Sequence, residues 1–197
     1  MKWLLNLFNN KSQEKSESNR KWIEGYNAYK NGKELYLKRQ HNDALYYLDK
    51  AIENGFEDDV FDLRAGCLQE LEYHYEAIAD FNKAIVLSPK DCNKYFSRSV
   101  SKGAIKDYQG EIDDLRLAIE LSKEDSELNR AYDDEAKKIG HRNGITSMLQ
   151  MRLVSAEMNL EFEENERNRM QSATPEMKLI LEEIKSKRVN VIKLRNQ

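Results

Sequence analysis

The chain has 197 residues, 40% of them hydrophobic and 34% charged, with a net charge of −3. That length holds one or two ordinary domains, and the charge balance argues against general affinity for nucleic acid or membranes. No apolar run approaches the roughly 20 residues of a membrane span, and two cysteines make no disulfide framework, so a reducing, cytoplasmic setting is expected.

Residues 1–19 are expected to be a flexible segment carrying a short apolar hook. The opening MKWLLNLF is interrupted at Asn6 and is followed by polar NNKSQEKSES, so no secretory signal is expected. The hook, Trp3 to Phe8, either folds back on the domain or touches a partner or a membrane interface without spanning it.

Three segments then repeat one local grammar, at about 20–55, 57–90 and 91–123. Its clearest copy is EAIADFNKAIVLSP, where Ala77, Phe81, Ala84 and Pro89 give a small, aromatic, small, helix-stop rhythm. Thirty-three residues upstream stand Ala44, Leu48 and Ala51; thirty-four downstream stand Glu111, Leu115 and Ala118. Glu111 replaces a small residue, so its helix contact is expected to be looser or shifted. In the first copy the second helix is predicted to start near Asn42 and Asp43 and to stop at Asn54-Gly55. Its first helix has two registers. Leu37, Leu71, Ile105 and Ile139 are 34 residues apart and set one; counting back from Ala44 sets the other. An extra residue around Arg39 to His41 would reconcile them.

Residues 122–150 form a degenerate fourth copy or cap, opened by Ser122 and Asp125 as a capping box. Leu128, Ala131, Tyr132, Ala136 and Ile139 give it one apolar stripe, and Arg152 stands where Ala118 would recur. Residues 151–197 are a helical extension, turning at Ser172 to Pro175 into a last helix with Met177, Ile180, Leu181, Ile184 and Val191 on one side. That helix is expected to fold back on the seam of Ile145, Leu149, Leu153, Ala156 and Leu160. The final thirteen residues carry five basic and no acidic side chains.

These landmarks resemble the tetratricopeptide repeat, well over residues 22–121 and weakly over 122–150. The resemblance implies an all-α, right-handed superhelical array of three helix–turn–helix repeats, with a degenerate fourth or capping helix and a C-terminal helical extension. It also implies a concave groove lined by the first helix of each repeat, where a peptide or protein segment binds. Carried onto this chain, the groove positions are Tyr26, Tyr29, Lys33 and Tyr36 in the Ala44 register, or Gly25, Ala28, Gly32 and Leu35 in the other. They continue with Asp59, Asp62, Gly66 and Gln69, then Asn93, Phe96, Val100 and Gly103. One branch of the family grips a C-terminal carboxylate of chaperones with Lys, Arg and Asn. This sequence departs from it, because Asp59 and Asp62, with Glu57 and Asp58 close by, would repel a carboxylate; a neutral or basic partner segment is expected.

Chemistry leaves little trace. His41, His74 and His141 lack the spacing of a metal site and read as turn residues. Cys67 reads as buried, and Cys92 as a loop residue that could be exposed. No phosphate-binding loop or nucleophile elbow occurs, so neither enzyme activity nor a cofactor is expected. The expected role is a monomeric, non-enzymatic scaffold. The alternatives are a protein self-associating through its C-terminal helices as a homodimer, or an adaptor for membrane or nucleic acid using the hook or the basic tail.

Overall fold

The computed structural model describes residues 2–183 except 58 and 125, with side chains from residue 15 onward. No strand occurs among the described residues. Eight helices follow in order: α1 (Lys2–Leu37), α2 (His41–Glu53), α3 (Val60–Glu70), α4 (His74–Leu87), α5 (Cys92–Ala104), α6 (Tyr108–Ser122), α7 (Glu127–Lys138) and α8 (Gly144–Ser172). A further helical segment, α9, starts at 175 and continues to 183, the last described residue. Thr174 caps its start, with the Met177 amide donating to Thr174 Oγ1 at 3.3 Å. Ile184, Val191 and the basic tail lie outside the described residues.

The chain divides into two compact units, Met1–Leu153 and Val154–Gln197. In the first, α1 packs on α2, α3 on α4 and α5 on α6, while α2 meets α3 and α4 meets α5. The small-residue rhythm explains this pairing. Ala44, Leu48, Ala51, Ala77, Phe81 and Ala84 are all buried, so backbones approach closely and one large side chain fills each gap. Gly32 shows how close: a Cβ there would lie 2.8 Å from Leu48 Cγ.

The turns settle the register of the first repeat. Arg39, Glu72, Lys106 and Gly140 each follow a first helix, with φ of 58°, 64°, 65° and 103°. At each turn the next amide bonds back five residues: Gln40 to Leu35, Tyr73 to Leu68, Asp107 to Lys102 and His141 to Ala136. These are Schellman closures, which satisfy carbonyls the helix leaves open. Arg39 therefore corresponds to Glu72, and Lys38, not Leu37, to Leu71. No extra turn residue exists, and the Ala44 register holds. Gly25, Ala28 and Gly32 are accordingly buried.

Three expectations need correction. Residues 2–19, expected to be flexible, are helical within α1; no Gly or Pro interrupts them, and i,i+4 pairs such as Glu17–Lys21 (3.4 Å) and Arg20–Glu24 (3.7 Å) support the helix. Ser122 caps nothing: it ends α6, and Ser126 instead accepts the Asn129 amide at 3.0 Å. Cys92 is fully buried as the first residue of α5, where its thiol meets Asn129 Oδ1 at 3.4 Å. Along α8, Ile145, Leu149 and Ala156 are buried and Leu153 and Leu160 half-buried, while Met177 and Ile180 on α9 are more than half exposed.

Glu111 is neither loose nor shifted. It is 1% exposed, and its carboxylate lies where a Cβ on Gly103 would intrude. A missing side chain on α5 thus makes room for an oversized one on α6. Arg152 on α8 supplies the countercharge.

Candidate functional site

Repeat architecture places α1, α3 and α5 side by side along one face, because each second helix stacks against the next first helix. In the settled register Tyr26, Tyr29, Lys33 and Tyr36 lie off the buried face of α1. Tyr26 stacks on Trp22 with ring centres 5.8 Å apart, and both rings meet Phe56 edge-on at 5.5 Å. Tyr29 packs against Phe56 at 5.1 Å. Aromatic pairs at these separations hold their geometry beyond simple burial. Lys33 Nζ stands 5.8 Å over the Tyr29 ring, and Lys30 Nζ 5.6 Å over Tyr26.

A cavity of about 740 Å³ opens beside this stripe, with walls from α1, α3, the α4–α5 turn and α7. It brings together four of the expected residues, Tyr29, Lys33, Asp59 and Asp62, with Lys94 and Tyr132. The others lie elsewhere. Tyr26 belongs to the aromatic stack. The Tyr36 hydroxyl would be 3.1 Å from a Cβ on Gly66, so glycine there admits the ring between α1 and α3. Gln69 is committed to structure, donating to Ser97 O at 3.0 Å and Ser101 Oγ at 2.7 Å on the next repeat. Asn93, Phe96 and Val100 are half-buried on α5 and do not line the cavity.

Lys94 is the feature that reading the sequence missed. It is 4% exposed, and its ammonium lies 3.8 Å from Asp59, 3.7 Å from Asp62 and 3.5 Å from Asp91. The acidic character inferred for this face is therefore partly compensated from within. Asp91 gains two more partners, the Asn93 amide at 3.0 Å and the Tyr132 hydroxyl at 3.1 Å. Burial holds the Asp62 carboxyl above the usual carboxylate range, with Lys94 opposing and Asp91 and Asp59 adding to the rise. The Tyr132 phenol is likewise pushed up, by burial first and then by Asp91.

A second network also escaped notice, although its spacing signals it. Arg64 forks onto Asp80 at 2.6 and 2.8 Å; thirty-four residues on, Arg98 forks onto Asp114 at 2.8 and 2.6 Å. Asp80 and Asp114 are buried, so each fork ties the two helices of its repeat with bidentate geometry. Burial raises both cysteine thiols to about 11, which keeps them protonated at neutral pH. No cluster of three or more His, Cys, Asp or Glu among the described residues could hold a metal ion. No described helix is long and apolar enough to cross a membrane.

No family model matches the chain, and no curated protein matches it. Solved structures do. The Sgt2 TPR domain from Aspergillus fumigatus superposes with a TM-score of 0.53 at 16% identity, over 77% of this chain and 85% of that one. The yeast Sti1 TPR2AB domain, in complex with pHSP90, gives 0.51 at 26% identity, over 71% of this chain and 55% of that one. The yeast Sti1 TPR2B domain, in complex with pHsp70, gives 0.50 at 26% identity, over 65% of this chain and 98% of that one.

Proposed function

We propose that this chain, whose helix pairs have the tetratricopeptide-repeat fold, is an adaptor that holds a polypeptide segment against its concave face and does no chemistry. The observation that carries the reading is the cavity to which α1, α3, the α4–α5 turn and α7 all contribute. Side chains from separate repeats converge on one site, as a ligand running across the array requires. Exposed aromatic area on α1 adds contact at low entropic cost, since Trp22 and Tyr26 are already stacked. The yeast Sti1 domains, seen with pHSP90 and pHsp70, illustrate peptide holding by this fold. Residues 20–121 would supply most of the groove and 122–150 its closing edge.

Selection of random-sequence displayed peptides on the immobilised full chain tests this reading. Enriched peptides should lose affinity for a Tyr29→Ala, Leu128→Ala variant, both residues lining the cavity, whose thermal midpoint is retained. Full retention of affinity by that variant would contradict concave-face binding.

A second reading, self-association through residues 154–183, is favoured by Val154, Met158, Phe162, Met177, Leu179 and Ile180, all more than half exposed. Sedimentation of the full chain decides it. A dimer that a Met158→Ser, Phe162→Ser variant converts to a folded monomer supports self-association, and a wild-type monomer rejects it.

A further inference from the structure

Charge in the concave cavity is unevenly satisfied. Three carboxylates, Asp59, Asp62 and Asp91, share the single buried ammonium of Lys94 at 3.5 to 3.8 Å. Asp91 has its own donors in the Asn93 amide and the Tyr132 hydroxyl. Asp59 has much less. It sits at the N-cap position of α3 with φ of 54°, makes no capping hydrogen bond, and its side chain is 70% exposed. Asp62 faces the same space, its carboxyl raised first by burial and then by Asp91 and Asp59, with Lys94 opposing. Glu57 stands beside both in the adjoining cleft. Among the cavity's other cations, Lys90 is paired with Glu124 at 3.5 Å and Lys33 stands 5.8 Å over the Tyr29 ring.

The opposite wall is aromatic, and its chemistry is displayed by the chain itself. Lys33 over Tyr29 in the cavity, and Lys30 over Tyr26 in the neighbouring stack, show that tyrosine faces on α1 accept an ammonium. Carboxylates on one side and a tyrosine face on the other suit a cationic side chain. An incoming carboxylate would meet Asp59 and Asp62 first, while Lys94 lies buried behind them. At about 740 Å³ the cavity holds one long side chain together with the backbone on either side of it.

We propose that the concave cavity receives a lysine or arginine side chain of a basic peptide segment, seated between Asp59 and Asp62 with Tyr29 on its flank. This rests on the peptide-binding reading above and gives that peptide its charge. Lys94 is the fixed internal cation that holds the carboxylates together when the groove is empty.

The experiment is the same peptide selection on the full chain, read for the charge of the enriched sequences. Binding of those peptides is then measured to wild type, Asp59→Asn with Asp62→Asn, Tyr29→Phe and Tyr29→Leu, each checked for an unchanged thermal midpoint. A Glu76→Gln, Glu120→Gln variant makes the same charge change at exposed sites away from the cavity. Enriched peptides should carry Lys or Arg, and the Asn pair should weaken them about tenfold or more, with added salt weakening wild-type binding too. Tyr29→Phe should keep affinity and Tyr29→Leu lose it, while the distal control stays near wild type. Acidic or uncharged enriched peptides, bound in the groove and indifferent to the Asn pair, would overturn the cation assignment and leave concave-face binding standing. Basic peptides weakened equally by the distal control would also overturn it. Peptides that footprint away from the concave face would overturn both readings.

Discussion

Arg152 Nη2 lies 2.6 Å from Glu111 Oε1, and both residues stand where the repeat elsewhere places a small side chain. Two departures from one pattern thus answer each other, as α8 brings its cation to the carboxylate on α6. Glu111 is buried, whereas the Arg152 side chain is 40% exposed, so the partners are unequal. Arg152→Ala strands a buried carboxylate and should cost about 2–3 kcal/mol, below the usual range for a broken buried pair because arginine is partly solvated. Glu111→Ala restores the small residue and should cost less. A double-mutant cycle by chemical denaturation measures both, and equal single-mutant losses with no coupling would contradict the arrangement.

The same pair fixes a pH dependence. Burial raises the Glu111 carboxyl above its ordinary value of 4.5, with Arg152 opposing. A raised native value means the folded state holds the proton more tightly than the unfolded chain. That contribution is fullest below the unfolded value and is lost as pH rises through the folded one. Removing Arg152 deepens the effect. The destabilisation by Arg152→Ala should therefore shrink as pH falls from about 7 to about 4.5. Denaturation midpoints of variant and wild type across that interval supply the test, and a constant gap would count against it.

Close packing at Gly32 gives a prediction from one methyl group. A Cβ there meets Leu48 Cγ at 2.8 Å, closer than side chains tolerate. Gly32→Ala should overpack the α1–α2 contact by about 1–3 kcal/mol, despite alanine's better helix propensity. Ala84→Leu should do the same between repeats. At exposed Glu53, replacement by alanine should stay within about 0.5 kcal/mol. Thermal midpoints that do not separate the first two variants from the third would undo the register.

Cys67 and Cys92 are both fully buried, with thiols raised to about 11 by burial. Native protein should react with an aromatic disulfide reagent at about pH 8 orders of magnitude more slowly than unfolded protein. Rapid labelling of either cysteine in the folded state would show that its surroundings are open.

The second helices were readable because close approach of backbones demands small residues, and alanine at fixed spacing leaves few alternatives. The first repeat's register was not. Three of its four equivalent turn residues, Arg39, Glu72 and Lys106, are charged side chains at positive φ, where a glycine would have marked the place; Gly140 alone does so. At the site, Tyr29, Lys33, Asp59 and Asp62 followed from register. Lys94 did not, since a lysine three residues after an aspartate reads as surface charge until the fold buries it. The α1 extension was misread because a polar segment without apolar periodicity can still be a helix held by its own ion pairs.

Amide hydrogen exchange of the full chain, alone and saturated with a selected peptide, tests concave-face binding most directly. Slowed exchange is expected in α3, in α5 and in α1 around Tyr26 to Tyr36, with residues 154–172 of α8 unchanged. Protection confined to residues 154–172, with α1, α3 and α5 exchanging as in the free protein, would contradict it.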